Sequence, residues 1–435
     1  MLKRVFWPIA VVILLCVILP VRGQGQGRGN TGQGGATVQG DDAPVARVAG
    51  EAEKLPAGPG KEIVGTACAQ CHALQQLDRG HDAGQWQLTV ERMLSAGAKV
   101  PPAQVDTVVS YLAKNFPEKP LPPAVIVPGN ANVVFREWTA PTKGSRPHDP
   151  FAAADGSIWY SGMYANVLGH IDPKTGAIKE YSPKMAGSGP HGLVADKDGN
   201  IWFTANSKGY IGKLNPKTGD TTEYKLPPST RDPHTPIFDQ KGILWFTAQN
   251  SNIVGRLDPK TGEVKVVSPP TAKSNPYGMV VDSKGTPWFV QFNVNKLASI
   301  NPNTMEIKEY TLPNPETRPR RVAITSDDVL WYADYSRGYL GRFDPKTGKI
   351  TEYASPGGPK SQPYGITATN DIIWYSEANT KPNTLVRFDP KSEKFQTWAI
   401  PSGGGVVRNM MATKDGNLVL AESAMNKIAL VEILK

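Results

Sequence analysis

The chain has 435 residues, 48 Lys and Arg against 39 Asp and Glu, a formal net charge of +9 and three cysteines. Its lysines recur singly in turns (Lys174, Lys217, Lys260, Lys346, Lys391) rather than in one stripe, which argues against a nucleic-acid partner. Three cysteines are too few to staple a chain of this length as a disulfide framework.

Residues 1–23 begin with Lys3 and Arg4, run apolar from Val5 to Val21 and end in Val-Arg-Gly. This is the pattern of a secretory signal cleaved after Gly23, so the protein is expected to be periplasmic or otherwise exported. Loss of Lys3, Arg4 and Arg22 then lowers the formal charge to +6. The apolar run is at the short limit for a bilayer core of ~30 Å, and an uncleaved anchor is the one route to membrane association. Cys16 follows Leu15 rather than the small residue a lipidation site needs. Residues 24–60 are rich in Gly and Gln with almost no aliphatic periodicity, the composition of a flexible linker.

Residues 61–117 are expected to fold as a small all-α domain. Trp86, Val90 and Met93 share one helical face, and Val105, Val108, Val109 and Leu112 share another behind Pro101-Pro102. Cys68 and Cys71 stand two residues apart with His72 directly after. That spacing fits one covalent haem c: two thiols add to the vinyl groups and the imidazole becomes the proximal iron ligand. A thioredoxin-type pair would need a β-α-β setting, and no strand character surrounds Cys68. Met93 is the expected second axial ligand and His81 its rival; the plain alternative for Met93 is core filling beside Trp86. A thioether ligand would raise the reduction potential and suit the domain to accept electrons. Residues 118–132 are proline-rich and expected to be an extended linker.

From 133 to 435 the sequence repeats. Trp159, Trp202, Trp245, Trp288, Trp331 and Trp374 are each 43 residues apart, and Val419 takes the position once more. Each unit carries short apolar runs separated by D-G-N and D-P-K-T-G turns, the pattern of a four-stranded propeller blade. Seven copies predict an all-β seven-bladed propeller. Its last blade lacks an outer strand, so the run FREWTAP near residue 135 should complete it and close the ring.

One position per blade, just after the repeated proline, should face the central funnel: His148, His191, His234, Tyr277, Arg320, Tyr364 and Arg408. A second lies three residues past the tryptophan: Gly162, Ala205, Ala248, Gln291, Asp334, Glu377 and Glu422. Histidines with small partners fill blades one to three; arginines, tyrosines and carboxylates fill blades five to seven. Three histidines on neighbouring blades also invite a second metal ion in the funnel; the alternative is that they bond neighbouring backbone. Arg320, with Arg318 and Arg321, suits an anionic ligand or a structural network with Asp334 and Glu377.

The stretch from Cys68 to His72, through Trp86, Met93, Gly97-Ala98 and the run VVSYLAKNF, resembles short single-haem c-type cytochrome domains of periplasmic dehydrogenases. The resemblance implies His72 and Met93 as iron ligands. The repeat DGNIWFTA…IGKLNPKTG…TEYKLP…PHG resembles the streptogramin B lyase (virginiamycin B lyase) family of seven-bladed propellers. In that family a funnel histidine acts as base with a glutamate at the second position of the same blade, assisted by magnesium, to eliminate across an ester. Here every blade with His carries Gly or Ala at the second position, so that pair is broken. The expected function is electron transfer through the haem, with the funnel binding a small-molecule electron donor or a redox protein partner. A metal-dependent C–O lyase and a purely binding propeller are the alternatives.

Overall fold

The computed structural model describes residues 52–70 and 73–434. The expected signal, most of the Gly/Gln-rich linker, Cys71 and His72 lie outside the described residues. Among the described residues no helix is long and apolar enough to cross a membrane.

The N-terminal part is helical. A short turn at Lys61–Ile63 runs on as a π-helical turn at Val64–Cys68 and is followed by a 3-10 segment at Leu74–Arg79. Two longer helices follow, α1 (Ala83–Ser95) and α2 (Val105–Asn115). Asp82 caps α1 by accepting from the Gln85 amide at 2.8 Å, which satisfies one of the donors a helix start leaves open. Trp86 and Val90 of α1 and Val108 and Leu112 of α2 are buried with Val64, Leu74, Leu77 and Tyr111. Cys68 packs against this core half-buried. Met93, on α1, is half-buried and stands outside that cluster.

Residues 132–434 form seven four-stranded antiparallel sheets, as the repeat predicts. Six blades are sequential. The seventh joins Asn132–Thr139 to the C-terminal strand Lys427–Leu434, with Asn132 opposite Leu434 and Thr139 opposite Lys427. The repeated residues have separable jobs. The blade tryptophans are buried, and in blades two to four their Nε1 donates to the aspartate that opens the preceding turn: Trp202 to Asp196 at 2.8 Å, Trp245 to Asp239 at 2.9 Å and Trp288 to Asp282 at 3.0 Å. Outer-strand aromatics stack on them, as Tyr224 does on Trp202 with centroids 5.0 Å apart. These groups fasten each blade and are not part of the funnel.

The linker at 118–132 is extended, as its prolines require, and it is docked on blade six rather than free. Val127 exchanges two bonds with Thr397, Gln396 bonds Ala131, and Lys381 bonds the carbonyl of Pro122. The helical unit is held on the propeller by α1. Ser95 donates to the Lys143 carbonyl at 2.7 Å, Gln85 reaches the Met425 sulfur, and Lys381 pairs with Glu118 and Asp82. Gly144 makes this approach possible: it adopts a φ of 68°, and a Cβ there would stand 2.4 Å from the Glu91 carbonyl oxygen.

Candidate active site

The first strand of every blade slips register just after its proline or, in blade seven, after Val407. Such a bulge re-aims side chains. Here it lets two successive residues serve the funnel, where strict alternation would allow one. A second device fixes the height of the ring. The hydroxyl two residues past the tryptophan donates to the carbonyl of the next blade's ring residue: Ser161 to His191 at 2.5 Å, Thr204 to His234 at 2.8 Å and Thr247 to Tyr277 at 2.7 Å.

The structure brings the first predicted ring together. The imidazoles of His148 and His191 lie 3.7 Å apart by centroid, His191 and His234 3.9 Å, and His234 and Tyr277 4.2 Å. The Tyr277 and Tyr364 hydroxyls share a hydrogen bond of 2.6 Å. The Arg320 guanidinium lies 3.9 Å from the Tyr364 ring and 4.3 Å from that of Tyr335, a cation-π setting in a desolvated site. Arg408 completes the ring from blade seven.

The second residue of the bulge was not singled out in blade one, and it matters most there. Asp149 Oδ1 accepts from His148 Nδ1 at 2.9 Å and from Arg321 Nη2 at 2.8 Å. Arg321 also donates to Thr235 Oγ1 at 3.2 Å, which in turn bonds His234 Nδ1 at 2.8 Å. One network thus crosses the funnel from blade one through blade five to blade three. Two more arginines stand around the mouth: Arg146, just before the blade-one proline, stacks over Tyr164 at 4.6 Å, and Arg92 comes from α1. The cue for Asp149 was present, since blade one reads PHDP where blade two reads PHGL. Only the bulge makes that neighbour a funnel residue.

All three histidines are held well below the usual imidazole range, first by burial. For His148 the charges of Arg408, Arg146, Arg321 and Arg320 push further the same way. They are therefore neutral at neutral pH. A carboxylate only accepts, so His148 must carry its proton on Nδ1, which leaves the Nε2 lone pair available as a base. For Tyr364, burial works upward but Arg320, Arg408 and Arg321 outweigh it and bring the hydroxyl down to about 8. Its partner Tyr277 goes up to about 12, through burial and the shared bond.

The second predicted ring does not join this network. Asp334 accepts from the Arg318 amide and pairs with Arg337 at 3.2 Å. Glu377 bonds Ser355, Thr384 and the Gly357 amide; Glu422 bonds Ser402. Gln291 bonds Glu309. Gly162, Ala205 and Ala248 are the small residues paired with the blade prolines. The physical reason is the pleat: a residue paired with the proline before the bulge faces into its own blade. Of the two readings of Arg320, an anionic ligand or a structural network with Asp334 and Glu377, the network is not among the described bonds of those carboxylates, and the Arg320 guanidinium lies against aromatic rings.

Among the described residues, His148, Asp149 and His191 offer ligand atoms within 4.8 Å of one another, two imidazoles and a carboxylate being a known metal donor set. His234 is not in that group. The charge around it does not fit a dication: Asp149 already balances Arg321, and the guanidiniums that disfavour imidazolium would equally oppose a metal ion. At the other site Met93 is half-buried on α1, whereas His81 packs edge-on against Trp86 with centroids 4.8 Å apart.

Three solved structures bear on the fold. Virginiamycin B lyase from Staphylococcus aureus is 23% identical, with a TM-score of 0.63 over 70% of this chain and all of its own. A streptogramin B lyase structure is 28% identical, with a TM-score of 0.63 over 70% of this chain and 98% of that one. A catalytically inactive His-to-Ala variant of the Staphylococcus aureus enzyme with quinupristin is 24% identical, with a TM-score of 0.64 over 70% of this chain and all of its own. No curated protein matches the chain. The match to the virginiamycin B lyase family runs over residues 127–367, more than half of the sequence, and the chain belongs to that family.

Proposed function

We propose that the funnel is a lyase site in which His148 is the general base of a C–O elimination. The observation that carries this is the buried, neutral His148 with its Nδ1 proton fixed on Asp149 at 2.9 Å. A base held in one tautomer and near its substrate acts without first losing a proton. Nε2 takes a proton from carbon beside a carbonyl, the C–H electron pair forms the new C=C bond, and the C–O bond breaks. The departing oxygen takes a proton from the Tyr277–Tyr364 pair, whose first ionisation the arginines favour. Arginine charge stabilises the negative charge that develops on the carbonyl oxygen. The carboxylate that orients the histidine has moved relative to the family arrangement, from the second position of the blade to the residue after the histidine.

The test is an assay of the full-length protein with quinupristin and a panel of carboxylate-bearing esters, read by mass for elimination against hydrolysis. His148→Asn should lower turnover by at least ~100-fold, the usual scale of a lost general base. A product heavier by one water, or full activity in His148→Asn, overturns the reading.

The helical unit supports a second role, electron carriage. Cys68, with Cys71 and His72, would hold one haem c covalently, and Met93 would be the second axial ligand. The haem supplies one-electron chemistry at a potential set by its ligands and burial. What supports this is the motif, together with Cys68 packed on the apolar helical core and Met93 left outside it. Expressed with an export route and haem-attachment machinery, the protein should show a reduced c-type absorption spectrum that Cys68→Ala removes; a haem-free product from such cells sinks this role.

A further inference from the structure

The mouth of the funnel is not alike all the way round. The turn residue five past the tryptophan position marks its rim, because the amide there donates to the carbonyl three residues before a ring residue: Tyr164 to Ser145, Ser207 to Ser188, Asn293 to Ser274, Asn379 to Ser361 and Ala424 to Gly405. At this one position Ser207, Asn250, Asn293 and Ser336, in blades two to five, are exposed, whereas Tyr164, Asn379 and Ala424, in blades one, six and seven, are half-buried. The residue before the blade proline repeats the contrast with identical side chains. Arg318 in blade five is half-buried, and Arg146 in blade one is only 6% exposed.

What covers those three blades is the helical unit. α1 lies on the segment that leads into His148: Ser95 donates to the Lys143 carbonyl at 2.7 Å, Glu91 pairs with Lys143 at 3.6 Å, and the Glu91 carbonyl oxygen occupies the space a Cβ on Gly144 would need. Gln85 reaches the Met425 sulfur in blade seven, and Asp82 and Glu118 pair with Lys381 in blade six. Met425 in turn stands against the loop that leads into Arg408, where a Cβ on Gly405 would come within 2.7 Å of its Cγ. Burial first, and then Arg146 and Arg408, pull the Arg92 guanidinium down to about 10, in keeping with a side chain that overhangs the ring.

We propose that the helical unit is a size filter fixed over the side of the funnel formed by blades six, seven and one, and that the substrate is a compact, acyclic ester entering from the side of blades two to five. His148 stands on blade one, under the cover, while His234 and Tyr277 of the same ring stand on open blades. A macrocycle or polymer lying across the mouth has to displace α1 to bring its C–H bond to His148; a single acyl unit with its leaving oxygen does not. Displacement costs the contacts at Lys143, Gly144, Lys381 and Met425 together, so the filter discriminates by the free energy of undocking. This deepens the elimination reading and rests on it only for the chemistry that follows entry.

The experiment uses the full-length, haem-loaded protein with one added cysteine, Ala424→Cys under the cover or Ser207→Cys on the open side, and subtracts the labelling of the unsubstituted protein. Each is treated with N-ethylmaleimide and with a maleimide carried on a long polyethylene glycol chain. The rate with the polymer relative to the small reagent should be about tenfold lower or less at position 424 than at 207, because only undocking admits the polymer. Gly144→Val, which puts a side chain where the Glu91 carbonyl stands, should bring the two ratios together. In turnover, an acyclic β-acyloxy amide should be preferred about tenfold or more over the same group closed in a macrocycle, and Gly144→Val should narrow that preference without changing the acyclic rate. Equal labelling ratios at the two cysteines, or equal turnover of the two esters, overturns the proposal. A labelling contrast with no elimination of either ester removes the elimination reading and leaves the cover standing. Equal elimination of both esters that is still lost in His148→Asn keeps the base and removes the filter.

Discussion

At the scale of single residues, burial has been given to charge in two different currencies. In the funnel, guanidiniums keep each other and the imidazoles in check. In the seventh blade, Glu422 is buried with Ser402 as its hydrogen-bond donor, while the nearby Lys427 pairs at 2.8 Å with Glu137 instead. Burial first, and then the charge of Glu137, push the Glu422 carboxyl up to about 8. In the unfolded chain it titrates near its ordinary 4.5. Between these values the native state holds one proton more than the unfolded state, so raising the pH favours unfolding. Stability is therefore largest below about 4.5 with respect to this group, declines up to about 8 and is flat beyond. At ~1.4 kcal/mol per unit the loss is a few kcal/mol. Glu422→Gln keeps the volume and removes the titration. Melting curves from pH 5 to 9 should slope less in the variant, which should be the more stable protein at pH 9; parallel curves would show that the group is not protonated in the native state.

At the scale of elements, the blade is where sequence and structure part company. The 43-residue period, the tryptophan and the D-P-K-T-G turn were all legible, because each serves a local strand or turn whose chemistry repeats from blade to blade. The first funnel ring was legible for the same reason: a residue after a fixed proline occupies a fixed height, and the hydroxyls of Ser161, Thr204 and Thr247 pin it there. Face was the harder property. Counting three residues past the tryptophan finds a set of buried positions, yet the pleat turns them into the blade, so Asp334, Glu377 and Glu422 are structural carboxylates. The bulge does the reverse for Asp149 and Arg321, and a bulge of one residue leaves no mark in a pattern of period two. Arg92 was beyond reach for a different reason. It sits on the exposed side of an amphipathic helix, and only the docking of α1 on Gly144 gives that side something to face. In blade one a carboxylate, Asp149, stands one residue away from its histidine on the same strand, whereas blades two and three carry Gly192 and Thr235 there.

At the scale of the whole molecule, the N-terminal strand does two things. It closes the propeller, and because the helical unit precedes it in the chain, it also sets where α1 can reach. Closure rests on eight paired residues from Asn132 to Thr139. It also buries side chains: Val133 and Phe135 pack on Leu418 and Val431, and Trp138 packs beside Ile428. Three such half-buried side chains contribute on the order of 4 kcal/mol, taking ~1.5–3 kcal/mol for each one fully buried. The rest of the N-terminal segment contributes far less to the ring, since residues 118–131 lie on its outside against blade six. Two truncations separate these contributions. Removal of residues 1–131 should leave a monomeric propeller whose melting temperature stays within a few degrees of the parent. Removal of residues 1–139 leaves Lys427–Leu434 as an unpaired edge carrying Ile428, Leu430 and Val431, the kind of edge that recruits another chain. That protein should melt well below the first and elute as oligomers in size-exclusion chromatography. If both truncations melt alike and remain monomeric, the ring does not depend on its closing strand.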